Sequence, residues 1–218
     1  MIMRDVPDFW QTKPTDRFVL KWIKCHLSAK ITPRLIHVQW LHPWMITLAS
    51  ACLGMLAGVI FAVGWGWLAG CVAACAQVLD GVDGQLARLT DRQSKGGAFW
   101  DSVLDRYADG AMVIGLGIYL YRLPFPMPSW LLVILAALAL IGSNLISYST
   151  ARGDALGLDL GPPTLASKGT RASVTILCAW GSLFWAGLPI VALFYLVVHP
   201  NAVVIKRLMR TLRSTQPL

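Results

Sequence analysis

Five aspartates in the stretch VLDGVDGQLARLTDRQSKGGAFWDSVLDRYADG, Val78 to Gly110, lie inside or beside apolar runs, and this limits the possible folds more than any other feature. They are Asp80, Asp83, Asp101, Asp105 and Asp109, with Asp91 in the polar connection between the runs. Together these six make up more than half of the eleven acidic residues, and no glutamate occurs anywhere. An ionised Asp at the centre of a bilayer costs roughly 2.5–3.5 kcal/mol even on the lenient insertion scale. Carboxylates on two neighbouring apolar spans therefore have to meet something that compensates their charge.

The apolar runs are membrane spans by composition. Of the 218 residues, 56% are hydrophobic and 14% charged, and the mean hydropathy is +0.59. A water-soluble domain carries about 25% charged residues. The expected class is all-α: a polytopic membrane protein with six transmembrane helices behind an N-terminal amphipathic, interfacial helix. Residues 1–42 form the N-terminal cytoplasmic or interfacial segment, and 43–218 the six-helix domain. The spans are read at Pro43–Gly64, Gly66–Leu89, Gly97–Tyr121, Ser129–Tyr148, Ala172–Gly187 and Leu188–Val204, near the roughly 20 residues a helix needs to cross hydrocarbon. His199-Pro200-Asn201 is expected to kink the sixth span or end its apolar part. The first forty or so residues carry charges and prolines, so no cleavable signal peptide is expected. The five cysteines show no Cys-x-x-Cys spacing and read as structural.

Seven of the nineteen basic residues precede the first span: Arg4, Lys13, Arg17, Lys21, Lys24, Lys30 and Arg34. Arg88, Arg92, Lys95 and Arg106 flank the second connection, and Arg152, Lys168 and Arg171 the fourth. Lys206, Arg207, Arg210 and Arg213 follow or end the last span, and Arg122 alone falls on the other side. The positive-inside bias places both termini and the Asp-rich connection in the cytoplasm. The +8 net charge is this bias and does not point to nucleic acid. A basic cytoplasmic face suits anionic membrane lipids and phosphate-bearing substrates. Ahead of the first span, Val19, Ile23, Leu27 and Ile31 repeat at helical spacing while Lys21, Lys24 and Lys30 lie off the stripe, with Thr15 or Asp16 as cap. Such a helix either lies on the membrane surface or packs against the bundle.

At about 3.6 residues per turn, Asp80 and Asp83 share a helical face, as do Asp101 and Asp105. The two spans run antiparallel, so Asp80 should lie level with Asp105 and Asp83 with Asp101. Four carboxylates converging there repel one another; a divalent cation relieves that repulsion. All-oxygen ligation by Asp80, Asp83, Asp101 and Asp105 fits Mg²⁺, with Mn²⁺ or Ca²⁺ also possible. Four carboxylates can hold two metals about 3.5–4 Å apart, the arrangement used for in-line phosphoryl displacement. Gly84 leaves a slot beside this face, Arg88 can reach back to pair with phosphate, and Ser94 offers a hydroxyl to the same anion. For Gly81 the choice between such a slot and close helix packing stays open, and Arg88 and Arg92 can also be read as positive-inside anchors.

Written out, the region is Asp80-x-x-Asp83-Gly84-x-x-Ala87-Arg88, eight residues, Gly97, three residues, Asp101, three residues, Asp105. It resembles, at every fixed position, the signature of the CDP-alcohol phosphotransferase (CDP-alcohol phosphatidyltransferase) family. The resemblance implies six transmembrane helices behind an amphipathic helix, a homodimer and a two-metal centre. On it, Asp80, Asp83, Asp101 and Asp105 are the metal ligands, with Asp105 also the catalytic base, and Gly84, Arg88 and Ser94 contact the CDP part of the donor. The first span departs from the family pattern: it opens His42-Pro43-Trp44, where Trp44 replaces a small polar residue. The implied reaction transfers a substituted phosphate from a CDP-alcohol donor to a polar hydroxyl acceptor, releasing CMP.

The stretch SYSTARGDALGLDLGPPTLASKGTR, Ser147 to Arg171, resembles inositol-phosphate-using members, closest to the di-myo-inositol-phosphate-phosphate synthase branch. That likeness makes Arg152, Lys168 and Arg171 the acceptor-binding residues, an inositol phosphate the acceptor, and CDP-inositol or CDP-diacylglycerol the donor. Positive-inside bias accounts for the same three cations without any acceptor. A phospholipid synthase of the phosphatidylglycerol phosphate type is the alternative within the class. A cation channel or ion-coupled transporter is the alternative outside it, since intramembrane carboxylates also mark ion paths. A transport path needs polar residues through the whole depth, and here they cluster at the cytoplasmic end. Asp109, one turn beyond Asp105, either supports the metal centre or pairs with a neighbouring helix.

Overall fold

The computed structural model describes residues 10–12, 18–124, 127–162 and 164–213; Arg4, Lys13, Arg17 and the expected cap at Thr15 or Asp16 lie outside them. Among the described residues the regular elements are helices: α1 (Phe18–Ile23), a π-helical turn (Lys24–Ser28), α2 (Ala29–Leu35), α3 (Pro43–Val63), α4 (Gly66–Leu89), α5 (Lys95–Tyr121), α6 (Ser129–Ala155), α7 (Lys168–Gly181) and α8 (Pro189–Arg213). Three of them, α3, α6 and the Pro189–Leu212 part of α8, are long and apolar enough to cross a membrane by length and composition. The 24-residue α4 and 27-residue α5 have the length, but their aspartates and arginines lower the mean hydropathy. The 14-residue α7 begins with Lys168 and includes Arg171, so it is both shorter and more polar than the expected fifth span.

One end of the bundle is an apolar core built by α3, α5, α6 and α8 around Phe61, Leu116, Leu120, Leu132, Leu193 and Leu196. Phe61 meets Tyr119 edge to face at 5.5 Å, and the Tyr119 hydroxyl donates to the Ala186 carbonyl at 2.9 Å. Apolar side chains gain nothing by leaving lipid for protein, so close backbone packing must hold the helices together. The α3–α5 crossing shows how: a β-carbon on Gly115 would collide with the Gly58 carbonyl, and one on Gly58 with the Ala111 carbonyl. This contact fixes α3 beside α5 and so sets where Thr47 of α3 stands relative to the aspartates.

The last helix runs through Pro200 to Arg213. Directly after the proline, Asn201 Nδ2 donates to the Val197 carbonyl at 2.7 Å and to the Leu138 carbonyl of α6 at 3.1 Å, which ties α8 to α6 at this point. The N-terminal helix packs against α4 with its polar side inward. Lys24, Ser28 and Thr32 are buried, whereas Val19, Trp22 and Leu27 are exposed. Ser28 Oγ donates to the Val78 carbonyl (2.8 Å) and Thr32 Oγ1 to Gln85 Oε1 (2.7 Å). A side chain on Gly81 would strike Ser28, so that glycine serves helix packing.

Gly115→Leu should lower the melting temperature in detergent by an amount corresponding to about 1–3 kcal/mol of overpacking. Gly96→Ala, where an added β-carbon meets nothing within 4 Å, should stay within about 0.5 kcal/mol of wild type. Equal melting temperatures for the two variants would refute the close-packing account.

Candidate active site

The α4–α5 pair groups three of the four carboxylates that were expected to converge. Asp80, Asp101 and Asp105 each present an oxygen within 4.8 Å of the others. Asp83, one turn beyond Asp80, is buried and turned toward α3: Thr47 Oγ1 donates to one carboxylate oxygen at 2.6 Å and the Gly84 N–H to the other at 2.5 Å. Among the described residues no basic group lies within ion-pair distance of Asp83. Hard oxygen donors grouped this closely fit a divalent cation and suit zinc poorly, since neither His nor Cys joins them.

Two basic residues from α7 reach into this centre. The Lys168 ammonium bridges Asp80 (2.7 Å) and Asp105 (2.5 Å), which confirms that these two lie level across the helix pair. Arg171 is buried, donates to Asp109 at 2.9 Å and also to the Ala166 carbonyl. Of the two expectations for Asp109, pairing with a neighbouring helix is the one observed. It also leaves Arg171 committed to that pair, with only 4% of its surface exposed. Arg152 is exposed and stands apart from the cavity that holds Lys168. Of the three acceptor-binding candidates, only Lys168 faces that cavity.

The carboxylates border several cavities: Asp83 and Asp101 line one, Asp105 a larger one, and Asp80 with Asp105 a small apolar one of about 80 Å³. The first, of about 430 Å³, is lined by His42, Trp44, Thr47, Asp83, Gly84, Arg88, Ser94 and Asp101. Gly84 is open to it, and the Arg88 guanidinium lies over this glycine, where a β-carbon would stand 3.4 Å from a terminal nitrogen. Ser94 caps α5, its Oγ accepting from the Gly97 N–H at 2.9 Å. The larger one, of about 870 Å³, is lined by Asp105, Arg106, Asn144, Ser147, Thr150, Lys168 and Arg207. Arg106 donates to Ser147, and Arg207 to Ser149 (2.6 Å) and Thr150 (2.9 Å). Neither arginine stood out in the sequence, where both merged into the positive-inside count. The floor of this cavity includes Asp159, held by the Gly161 N–H and by Arg210 of α8 (2.5 Å), which keep its carboxyl below the usual carboxylate range.

These features describe a helical bundle, with helices long and apolar enough to cross a membrane, in which three clustered carboxylates could hold a divalent cation and polar cavities border them. The profile of the CDP-alcohol phosphatidyltransferase family matches residues 40–207; the chain belongs to that family. It is 36% identical over 137 residues to a bifunctional IPC transferase and DIPP synthase of Thermococcus kodakarensis, an alignment covering 63% of this chain and 30% of that relative. This chain thus spans about a third of that protein. The fold is also that of phosphatidylinositol phosphate synthase from Mycobacterium tuberculosis. With CDP-DAG bound, that enzyme superposes with a TM-score of 0.72 at 26% identity, covering 84% of this chain and 92% of its own. In complex with manganese and citrate, the values are 0.75, 25%, 88% and 93%.

The Lys168 bridge yields a test. In chelator, Lys168→Met should melt several degrees below wild type, because Asp80 and Asp105 then face each other without a counter-charge. Adding Mn²⁺ should raise the variant's melting temperature more than that of wild type, since no ammonium competes for the two carboxylates. Identical Mn²⁺ shifts in the two proteins would show that Lys168 does not share the cation position.

Proposed function

We propose that this protein transfers a substituted phosphate group from a CDP-alcohol to a hydroxyl of an inositol phosphate, releasing CMP and forming a phosphodiester. The observation that carries the reading is the convergence of Asp80, Asp101 and Asp105 within 4.8 Å of one another, with Asp101 bordering one polar cavity and Asp105 another. Asp80, Asp83, Asp101 and Asp105 would hold Mg²⁺, in a one- or two-ion centre. When bound, the cation neutralises the pyrophosphate and stabilises charge on the departing CMP. Six helices, α3 to α8, would span the membrane, with both termini and the site on the cytoplasmic side, as a homodimer; residues 43–218 would be the catalytic domain and 1–42 its interfacial cover.

The chain's own residues divide the work. Arg88, over Gly84, pairs with donor phosphate, and Ser94 borders the same slot. Trp44 also borders it and supplies an aromatic face where relatives carry a small polar group. The acceptor occupies the larger cavity, with Lys168 and Arg207 presenting positive charge and Asn144, Ser147 and Thr150 presenting hydrogen-bonding groups. Arg171 holds Asp109 and Ala166 in place behind Lys168. Arg152, on the exposed end of α6, is available to incoming anions. The acceptor oxygen attacks the β-phosphorus, the new O–P bond forms as the bond to CMP breaks, and the hydroxyl proton passes to an Asp105 oxygen. Approach from one cavity and departure into the other is the in-line arrangement that phosphoryl transfer requires.

A lipid-linked donor is favoured over a soluble one. Phe99, Trp100, Val103 and Tyr107 are exposed along α5 beside Asp101, an apolar flank where acyl chains can lie while the nucleotide enters the slot.

Two measurements test the reading. Purified protein with Mg²⁺, CDP-diacylglycerol and inositol phosphate should release CMP, and the labelled product should partition into chloroform. A product found only in water with CDP-inositol would assign the soluble donor, and turnover with glycerol phosphate in place of inositol phosphate would assign the phosphatidylglycerol phosphate type. Asp105→Asn should cut CMP release by about 10²–10⁴-fold while its Mn²⁺-induced thermal shift persists. Wild-type release from that variant would remove Asp105 as the base.

A further inference from the structure

Residues well before the first long helix touch the arginine of the donor slot. The Trp10 carbonyl accepts from Arg88 Nε at 2.8 Å, and Trp10 itself is buried. The next carbonyl, of Gln11, accepts from Gln85 Nε2 at 2.9 Å. Gln85 is fully buried; it also donates to the Lys24 carbonyl at 2.9 Å and accepts from Thr32 at 2.7 Å. The Trp10–Gln11 segment therefore lies along the α4 ridge that carries Arg88, tied to it at two successive carbonyls and, through Gln85, to the N-terminal helix.

The contact is specific in its chemistry. A guanidinium donates through Nε and two terminal nitrogens in one plane. Holding Nε fixes that plane and with it the positions of the two terminal nitrogens. They lie over Gly84, in the cavity that also holds Asp83, Ser94 and Asp101. An arginine whose fork is already oriented loses less rotamer freedom when an anion arrives. Lysine has no equivalent of Nε and could not be held in this way.

We infer that the Trp10–Gln11 segment is a strap that positions Arg88 for the diphosphate of a nucleotide ligand, with Trp10 as its buried anchor and a positioning residue. The inference rests on reading this cavity as the donor slot. It gives the N-terminal segment a role in donor affinity separate from any role in membrane attachment.

The test uses the full-length protein in detergent with Mg²⁺, and CDP as the probe in calorimetric titration. Trp10→Ala should weaken CDP binding by about tenfold, the worth of one charge-assisted hydrogen bond, while Trp10→Phe keeps the anchor and stays within about twofold of wild type. Arg88→Lys should weaken binding to a similar extent, and Trp10→Ala should cost nothing further in the Arg88→Lys background. That non-additivity is what a merely structural role for Trp10 would not produce. Should Trp10→Ala fail to fold, replacing the Trp10–Gln11 amide by an ester weakens the same carbonyl without altering a side chain, and it carries the same expectation. Losses that multiply in the double variant, or Trp10→Ala and ester proteins that bind CDP like wild type, would overturn the strap and leave the donor slot standing. A wild-type protein that does not bind CDP would overturn both.

Discussion

Negative charge inside an apolar helix pair is the constraint on which the rest of this structure depends. Four of the five aspartates of α4 and α5 show three ways of meeting it. Asp109 has Arg171, Asp80 and Asp105 share Lys168, and Asp83 accepts from Thr47 and the Gly84 amide. An unpaired carboxylate in a low-dielectric interior is costly, and the means of compensation account for features that otherwise look irregular. The α7 helix is short and polar at its start because Lys168 and Arg171 must reach the centre from there. The conflict is one that divalent ions resolve better than ammonium groups. A lysine neutralises one charge, whereas a single divalent ion neutralises two and takes several oxygen ligands.

The same carboxylates border two chemically different spaces. On the side of Asp83 and Asp101 lie a bare glycine, an arginine fork and the exposed N-terminal turn of α5, features that suit a phosphate chain. On the side of Asp105 lie hydroxyls, an amide and cations, features that suit a polyhydroxylated anion. A group passed between two substrates in such a site crosses from one space to the other instead of moving along a single channel. That geometry also argues against an ion path, since the apolar core of Phe61, Leu116, Leu120 and Leu193 lies beyond the aspartates.

Much of this was legible in the sequence, and the limits of legibility have physical causes. The α4 boundaries, Gly66 to Leu89, follow directly from the apolar run and its flanking turns. The aspartate faces follow from helical periodicity because both pairs lie within one turn. Contacts between residues far apart in the chain do not follow. Lys168 stands 88 residues from Asp80, and nothing local distinguishes a lysine that neutralises a carboxylate from one that anchors the cytoplasmic face. Arg106 and Arg207 were hidden by the same ambiguity, and Arg171 was singled out for an acceptor rather than for Asp109. The Asn201 bond to the Leu138 carbonyl, 63 residues away on α6, was equally invisible in the local pattern.

The N-terminal helix was left with two placements by its sequence, and it takes the one against the bundle: Ser28 and Thr32 are buried and Ile31 packs beside Val82 and Leu86, while Val19, Trp22 and Leu27 are exposed. At a membrane surface the apolar side can face lipid at no cost, so the polar side becomes available for specific contacts. Those contacts fall at Val78, Gly81 and Gln85. At about 100° per residue these three lie on the side of α4 opposite Asp80 and Asp83. An apolar interface would tolerate rotation or sliding of α4, because one methyl contact replaces another. Hydroxyl groups bonded to one carbonyl and one amide do not, and the missing side chain at Gly81 admits Ser28 at only one height. The polar face of the N-terminal helix therefore fixes the rotation of α4 about its axis, which is the quantity that decides whether its aspartates reach those of α5.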